Sequence, residues 1–210
     1  MCEPPGHSLS SPEERLCRKF AAGLSPTQKR LGNALAVNVG WTACALGAAW
    51  GWPWVGPAVV ALLVSAQLPL VASPKRQALF IAVVAGLGWA VDSALFRAGV
   101  FSFPGCDSDR WLCPLWMAAL WANFATTLHL ALDWLRGRYV LSAVLGAVAG
   151  PLAYYTGHRM GAMRLGESTA ANLAVFAAEW AVVMPALVRL AKLPRLDGTR
   201  PPGPASASRT

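Results

Sequence analysis

The longest uncharged stretch of the chain constrains its fold more than any other feature. From Leu31 to Pro74 the sequence contains no Asp, Glu, Lys or Arg, a run of about 44 residues. One helix needs only about 20 apolar residues to cross a hydrocarbon core about 30 Å thick, so this run predicts two membrane spans. Gly51 and Pro53, set among three tryptophans, supply the turn between them, because they break helices and Trp favours the headgroup layer.

The composition supports the same class of protein. Of the 210 residues, 55% are hydrophobic and only 13% are charged, and the mean hydropathy is +0.43. These values exclude a disordered polymer and a small disulfide-rich secreted domain. We therefore expect an all-α membrane protein, a bundle of six transmembrane helices. The predicted spans are 31–50, 54–73, 77–101, 111–135, 139–162 and 169–190.

The basic residues predict the orientation of this bundle. With six spans, fourteen of the eighteen Lys and Arg residues fall on one side of the membrane. The other side receives only Arg97, Arg110, Arg159 and Arg164. Because basic residues are retained in cytoplasmic loops, both termini are predicted to be cytoplasmic. The net charge of +8 thus follows from topology, and no nucleic-acid partner is needed to explain it.

The two ends of the chain are polar. Residues 1–30 form a basic leader that is too polar for a signal peptide, and Ser11-Pro12-Glu13-Glu14 is a good helix start. The leader is predicted to be either a short interfacial helix on anionic lipid or an unstructured basic segment. The domain 31–190 carries the six helices. Residues 191–210 form a basic tail, rich in Pro, Gly, Ser and Arg from Pro194 on, which we expect to be disordered.

Two cysteines flank the longest loop on the non-cytoplasmic side. Cys106 and Cys113 can close a small disulfide loop if that side is oxidising, and two separate thiols explain the pattern equally simply. No Cys/His spacing typical of a metal site is present. The sequence therefore predicts neither a metal nor a cofactor.

Two acidic residues lie deep in predicted spans. Asp92 is in the third span and Glu179 in the sixth, too far from the ends for their carboxylates to reach the interface easily. Each must be paired, protonated or in contact with water. A structural interpretation pairs Asp92 with Arg97 or Arg159 and leaves Glu179 neutral against a neighbouring helix. A functional interpretation makes both part of a substrate or proton site.

The fourth predicted span has a polar face. On a continuous helix, Asn123, Thr126, Thr127, His129 and Asp133 lie within a little under half of the circumference. His129 and Asp133 are four residues apart, so the carboxylate can hold one ring nitrogen and leave the other free as acid or base. The other three residues are candidates for substrate binding, or they simply join helices by hydrogen bonds.

The fifth predicted span is suited to close helix packing. Two pairs of glycines have four-residue spacing. They are Gly146 with Gly150 and Gly157 with Gly161. Pro151 predicts a kink that frees a backbone carbonyl. Tyr154 and His158 follow on one stripe and can face Asp92, which makes them candidate substrate-binding residues. A packing helix with incidental aromatic residues is the structural alternative.

Several motifs together resemble a known family. They are Asn38-x-x-Trp41, Val91-Asp92-Ser93, Gly150-Pro151-Leu152-Ala153-Tyr154, and the run from Trp121 to His129 with Leu132 and Trp134-Leu135 following. In combination they are similar to the bacterial inner-membrane family named domain of unknown function 2878, over roughly residues 31–190. The chain differs from the commoner family pattern near His129, where Leu128 and Ala131 replace Asn and Ser. The resemblance implies a multi-pass protein of the bacterial inner membrane and assigns no reaction.

Three functions remain open at this point. The first is an enzyme or accessory of membrane lipid metabolism, with His129 and Asp133 as acid and base, or with Asp92 and His158. The second is a small proton- or cation-coupled transporter or flippase that uses Asp92 and Glu179. The third is a membrane scaffold. The expected partners are the lipid bilayer and either a second copy of the chain or another membrane protein.

Overall fold

The computed structural model describes residues 23–105, 111–194 and 196–199, which form six α-helices and one small antiparallel sheet. Strand β1 (Phe101–Ser102) pairs with β2 (Arg164–Leu165), with Phe101 opposite Leu165. The helices are α1 (Pro26–Ala49), α2 (Val55–Gln67), α3 (Pro74–Arg97), α4 (Leu115–Ala125), α5 (Tyr139–Arg159) and α6 (Thr169–Leu190).

Successive helices run in alternating directions between two ends of the bundle. Helices α3 and α5 lead into β1 and β2, so we call this the strand end. At the opposite end, the tail end, residues 196–199 pack beside the start of α3, where the Ser73 N–H donates to the Gly198 carbonyl at 2.8 Å. The ends thus separate two sets of polar residues.

The surface of the bundle is apolar, as expected of a protein within lipid. Three helices, α3, α5 and α6, are long and apolar enough to cross a membrane. Large aliphatic side chains face outward, including Val140 with 81% of its surface exposed and Val182 with 71%. Apolar exposure on this scale is costly in water and neutral in lipid. These features define a helical membrane protein.

The fourth predicted span is shorter than the sequence indicated. Helix α4 ends at Ala125, and the chain continues as two 3₁₀ turns, Thr126–His129 and Asp133–Leu135. The Thr126 hydroxyl donates to the Asn123 carbonyl, and the Thr127 hydroxyl to the carbonyl of Phe124. Threonine hydroxyls that bond back to the main chain compete with the helical pattern. The continuous helix predicted to reach residue 135 is therefore wrong beyond Ala125.

The glycines of α5 separate into two groups. A Cβ atom on Gly146 or Gly150 would overlap Trp180 of α6, so these two positions permit the close approach that the spacing predicts. Gly157 lies beside Met163 without crowding, and Gly161 follows the helix with a positive φ of 83°. Helix α5 continues without a break across Pro151.

Three expectations concern the chain termini and the loop. Most of the leader 1–30 lies outside the described residues, although α1 begins inside it, at Pro26. The predicted Cys106–Cys113 disulfide also lies outside the described residues, because Cys106 is not among them. The tail differs from the expected disorder at residues 196–199, where Leu196 and Asp197 are buried. An apolar side chain and an ion pair hold this short segment in place.

Helix α3 packs tightly against α4 at Gly88. A Cβ atom there would overlap the indole ring of Trp121 on α4. Gly86 lies two residues earlier on the same helix and has open space around it. The pair therefore allows a matched comparison.

Gly88→Ala should destabilise the folded protein, because overpacking a tight core site costs about 1–3 kcal/mol. Gly86→Ala should be neutral or slightly stabilising, since alanine favours helix. Thermal unfolding of both variants in the same detergent checks the prediction. Equal unfolding temperatures for the two variants would contradict the close contact between Gly88 and Trp121.

Candidate functional site

The carboxyl group of Asp92 is the centre of the candidate site. Asp92 is fully buried on α3. One carboxylate oxygen accepts a hydrogen bond from the Trp121 indole N–H at 2.6 Å, and the other accepts from the Tyr154 hydroxyl. The two donors come from α4 and α5. The buried acid thus joins three helices near the strand end.

Stacked aromatic rings hold both donors in position. The indole of Trp180 on α6 lies parallel to that of Trp121, with ring centres 4.9 Å apart. Tyr154 stacks in the same way on Phe176, at 3.9 Å. These contacts fix the direction of each donor toward Asp92, so the site is preorganised.

A second acid lies beside this site. Glu179 precedes Trp180 on α6 and is close enough to Asp92 for their charges to interact. Both carboxylate oxygens of Glu179 are buried, and no described residue forms a hydrogen bond with them. Among the described residues, no basic side chain forms an ion pair with either acid. If either carboxyl group ionises, no described basic side chain balances its negative charge.

A cavity of about 120 Å³ adjoins the Asp92 carboxylate. Its wall is almost entirely apolar, and Asp92 contributes the one carboxyl group among the described lining residues. Some of the wall side chains are only half-buried and reach the outer surface of the bundle. These are Trp41, Leu120, Phe124, Ala153 and Trp180.

The structure brings only part of the predicted site together. Tyr154 reaches Asp92, whereas His158 lies one turn further on, with its ring nitrogen 3.4 Å from the Met163 carbonyl. The basic partners expected for Asp92 are elsewhere. Arg97 lies over the ring of Trp111 on the strand-end surface, and Arg159 is exposed.

His129 and Asp133 do not form the predicted pair. One ring nitrogen of His129 contacts the Gln77 side-chain oxygen at 2.5 Å, and the other contacts the Ala191 carbonyl at 3.0 Å. Asp133 instead forms an ion pair with Arg136. The four-residue spacing brings two side chains together only on a continuous helix, and α4 ends before either residue.

The polar residues of α4 join helices at the middle of the bundle. The Asn123 amide donates to the Val37 carbonyl of α1 at 2.8 Å. Thr126 accepts from the buried side chain of Asn33, which also donates to Gln67 of α2. This network supports the structural interpretation of Asn123 and Thr126. The Thr127 side chain instead donates to the Phe124 carbonyl of α4.

A charged cluster closes the tail end. The Arg136 guanidinium donates two hydrogen bonds to the Asp197 carboxylate, both at 3.1 Å, and also pairs with Asp133. Burial alone would raise the pKa of Asp197, but hydrogen bonds from Arg136 and Thr199 outweigh it and hold the pKa well below its ordinary value. The cluster is thus a compensated structural ion pair.

Sequence reasoning missed several of these residues. Trp121 was not predicted as a site residue, although its indole N–H donates to a buried carboxylate. The side-chain amides of Asn33, Gln67 and Gln77 were also missed. Their signal is the same as for Asp92, a polar group inside an apolar helix. Within the described residues, no group of three or more His, Cys, Asp or Glu residues is arranged to hold a metal ion.

The fold and the site together define a helical membrane protein with a buried, uncompensated acid. Residues 30–186 match the model of one family, described as a protein of unknown function (DUF2878), and the chain belongs to this family. No curated protein and no solved structure matches the chain. The family gives no reaction, so function must be argued from the site itself.

Arg136→Gln should loosen the tail end, because it leaves the buried Asp197 carboxylate without its main donor. We expect a loss of about 1–3 kcal/mol and faster hydrogen exchange in residues 191–199. The lowered pKa means that Asp197 stabilises the fold above the ordinary aspartate pKa of about 3.9 and loses this effect only as the pH falls through the lower folded-state value. Measurements at neutral pH therefore capture the whole contribution.

Arg138→Gln is the matched control for this substitution. Arg138 forms no ion pair among the described residues and lies 5.8 Å from the ring centre of Trp134. Equal exchange rates in the two variants would show that the ion pair does not hold the tail.

Proposed function

We propose that the protein crosses the bacterial inner membrane six times, with both termini in the cytoplasm, and acts on a membrane lipid at the Asp92 cavity. The alternating helix directions support six spans. The helix starts at the tail end carry basic pairs, Lys29 with Arg30 and Lys75 with Arg76. Such pairs favour the cytoplasmic side.

Reporter fusions test this topology. Green fluorescent protein fused after Arg138 should fluoresce, and alkaline phosphatase fused there should be inactive, because this loop is proposed to be cytoplasmic. The pattern should reverse for fusions after Glu167, which lies in the loop between β2 and α6. The same reporter active at both sites would overturn the proposed number of spans.

The observation that carries the lipid proposal is an apolar cavity with one carboxyl group in its wall. A wall of aromatic and aliphatic side chains favours hydrocarbon, and a single polar group fixes the orientation of the ligand. The half-buried side chains of the wall connect the cavity to the lipid-facing surface. A ligand can therefore enter from the bilayer without passing through water.

Asp92 has the chemistry of a general acid or base in this proposal. Each carboxylate oxygen accepts one hydrogen bond and keeps a lone pair available to a ligand. Asp92 would take a proton from a lipid hydroxyl, or return one, inside a site that excludes water. Trp121 and Tyr154 would act as positioning residues, because both touch the carboxylate.

The proposal assigns a structural role to His129 and Asp133. Both ring nitrogens of His129 are already engaged, and Asp133 neutralises Arg136. Neither residue is available as the free base that the sequence suggested. They also lie at the opposite end of the bundle from Asp92.

Asp92→Asn should abolish function while the protein still accumulates in the membrane, because the amide has nearly the same shape and carries no exchangeable acid. The measurement is untargeted lipid profiling of a strain that lacks the gene, complemented with each variant at matched expression. Wild type should restore the missing or altered lipid, and Asp92→Asn should not.

Glu167→Gln is the control, because it makes the same chemical change at an exposed loop residue. It should behave as wild type. Full restoration by Asp92→Asn would overturn the assignment of this site.

A proton- or cation-coupled transporter is the second candidate, and one observation favours it. Glu179 has a buried carboxyl group with no hydrogen-bond partner in the described parts of the chain, next to a second acid. Such a pair is typical of a site that binds and releases a proton or cation. No lipid change in the profile, together with proton uptake into proteoliposomes that Glu179→Gln abolishes, would favour transport over lipid chemistry.

A further inference from the structure

A second pocket, of about 460 Å³, opens at the tail end of the bundle. It lies between the start of α1, the connection from α2 to α3 and the segment after α4. It shares no lining residue with the Asp92 cavity. We therefore consider it as a separate site.

The described lining residues give this pocket an excess of positive charge. Lys29 and Arg30 line one wall, and among the described residues their side chains have no ion-pair or hydrogen-bond partner. Asp133 also lines the pocket, and it shares the single positive charge of Arg136 with Asp197. His129 also borders the pocket, with both ring nitrogens engaged. Within the part of the chain that the structure describes, Lys29 and Arg30 are therefore the two lining cations without an ion-pair partner.

Apolar side chains form much of the rest of the wall. Pro69, Leu70, Val71 and Leu130 form this part. The pocket lies at the ends of helices, beside the start of α1 and the connection from α2 to α3. Its volume lies within the range of about 300–1,000 Å³ that is typical of small-molecule sites.

We propose that this pocket binds the phosphate-bearing headgroup of an anionic phospholipid. The two cations are opposite in sign to a phosphate. Arg30 also supplies several N–H donors in fixed geometry for the phosphate oxygens. The apolar wall receives the glycerol and the first carbons of the acyl chains. The shared chemistry also admits a free phosphate ester, so the test separates the two sources. The inference does not depend on the function proposed at Asp92.

The test uses the full chain in phosphatidylcholine nanodiscs, with and without phosphatidylglycerol. Native mass spectrometry should show phosphatidylglycerol retained on the wild-type protein, together with a higher unfolding temperature. Lys29→Gln with Arg30→Gln should weaken this retention about thirtyfold, because each basic residue near an anionic surface contributes on the order of one kcal/mol and about 1.4 kcal/mol is a factor of ten.

The matched control removes the same charge from the same end. Lys75 and Arg76 begin α3 but do not line the pocket, so Lys75→Gln with Arg76→Gln should leave retention unchanged. Equal losses in both double variants would overturn the proposal in favour of diffuse surface attraction. Retention of phosphatidylglycerol no stronger than that of phosphatidylcholine would overturn it as well.

Two further arms identify the source of the phosphate. Inorganic phosphate and glycerol phosphate, added at millimolar concentration, should not displace the lipid. Displacement by either, lost in the Lys29 and Arg30 double variant, would overturn the lipid as ligand and assign the pocket to a soluble phosphate. Asp92→Asn should retain phosphatidylglycerol as wild type does, so failure of the Asp92 proposal leaves this result unaffected.

Discussion

The structure depends on keeping one carboxyl group inside an apolar bundle. Asp92 has no basic partner among the described residues, so its oxygens must find donors on other helices. Trp121 and Tyr154 supply them, and their rings in turn need space and stacking partners. The packing of α3 against α4 at Gly88 provides some of that space. The residues that bind the acid therefore also form the wall of the cavity beside it.

The acidic groups at the two ends of the bundle differ in whether a basic partner is described beside them. In the tail-end cluster, Arg136 lies between Asp133 and Asp197, and each of these three groups has a partner of opposite sign. At the strand end, Asp92 and Glu179 lie near each other with no cation described beside them. Compensated charges hold a fold together, whereas an uncompensated buried acid costs stability and is retained where it serves a function. This contrast is the physical reason for preferring the Asp92 site to the His129 cluster.

The sequence predicted what depends on local pattern. The uncharged runs predicted the helices, and the bounds of α6 agree with the predicted 169–190. The glycine spacing predicted close packing of the fifth span without naming a partner, and in the structure Trp180 of α6 lies against Gly146 and Gly150. The break after Ala125 was missed, because the threonine side chains that cause it also fit a continuous helix. Asp197, one of the two partners of Arg136, lies 61 residues away, and no spacing rule connects such residues.

The separation of the two pockets limits what one ligand can do. Asp92 is eighteen residues from the start of α3, which is about 27 Å along the helix at 1.5 Å per residue. A lipid held by its headgroup at the tail end extends only to the middle of a core about 30 Å thick. Its chains end well before the Asp92 carboxyl. Under the two proposals, the sites therefore bind different molecules, and the lipid proposed for the tail-end pocket is not the substrate proposed at Asp92.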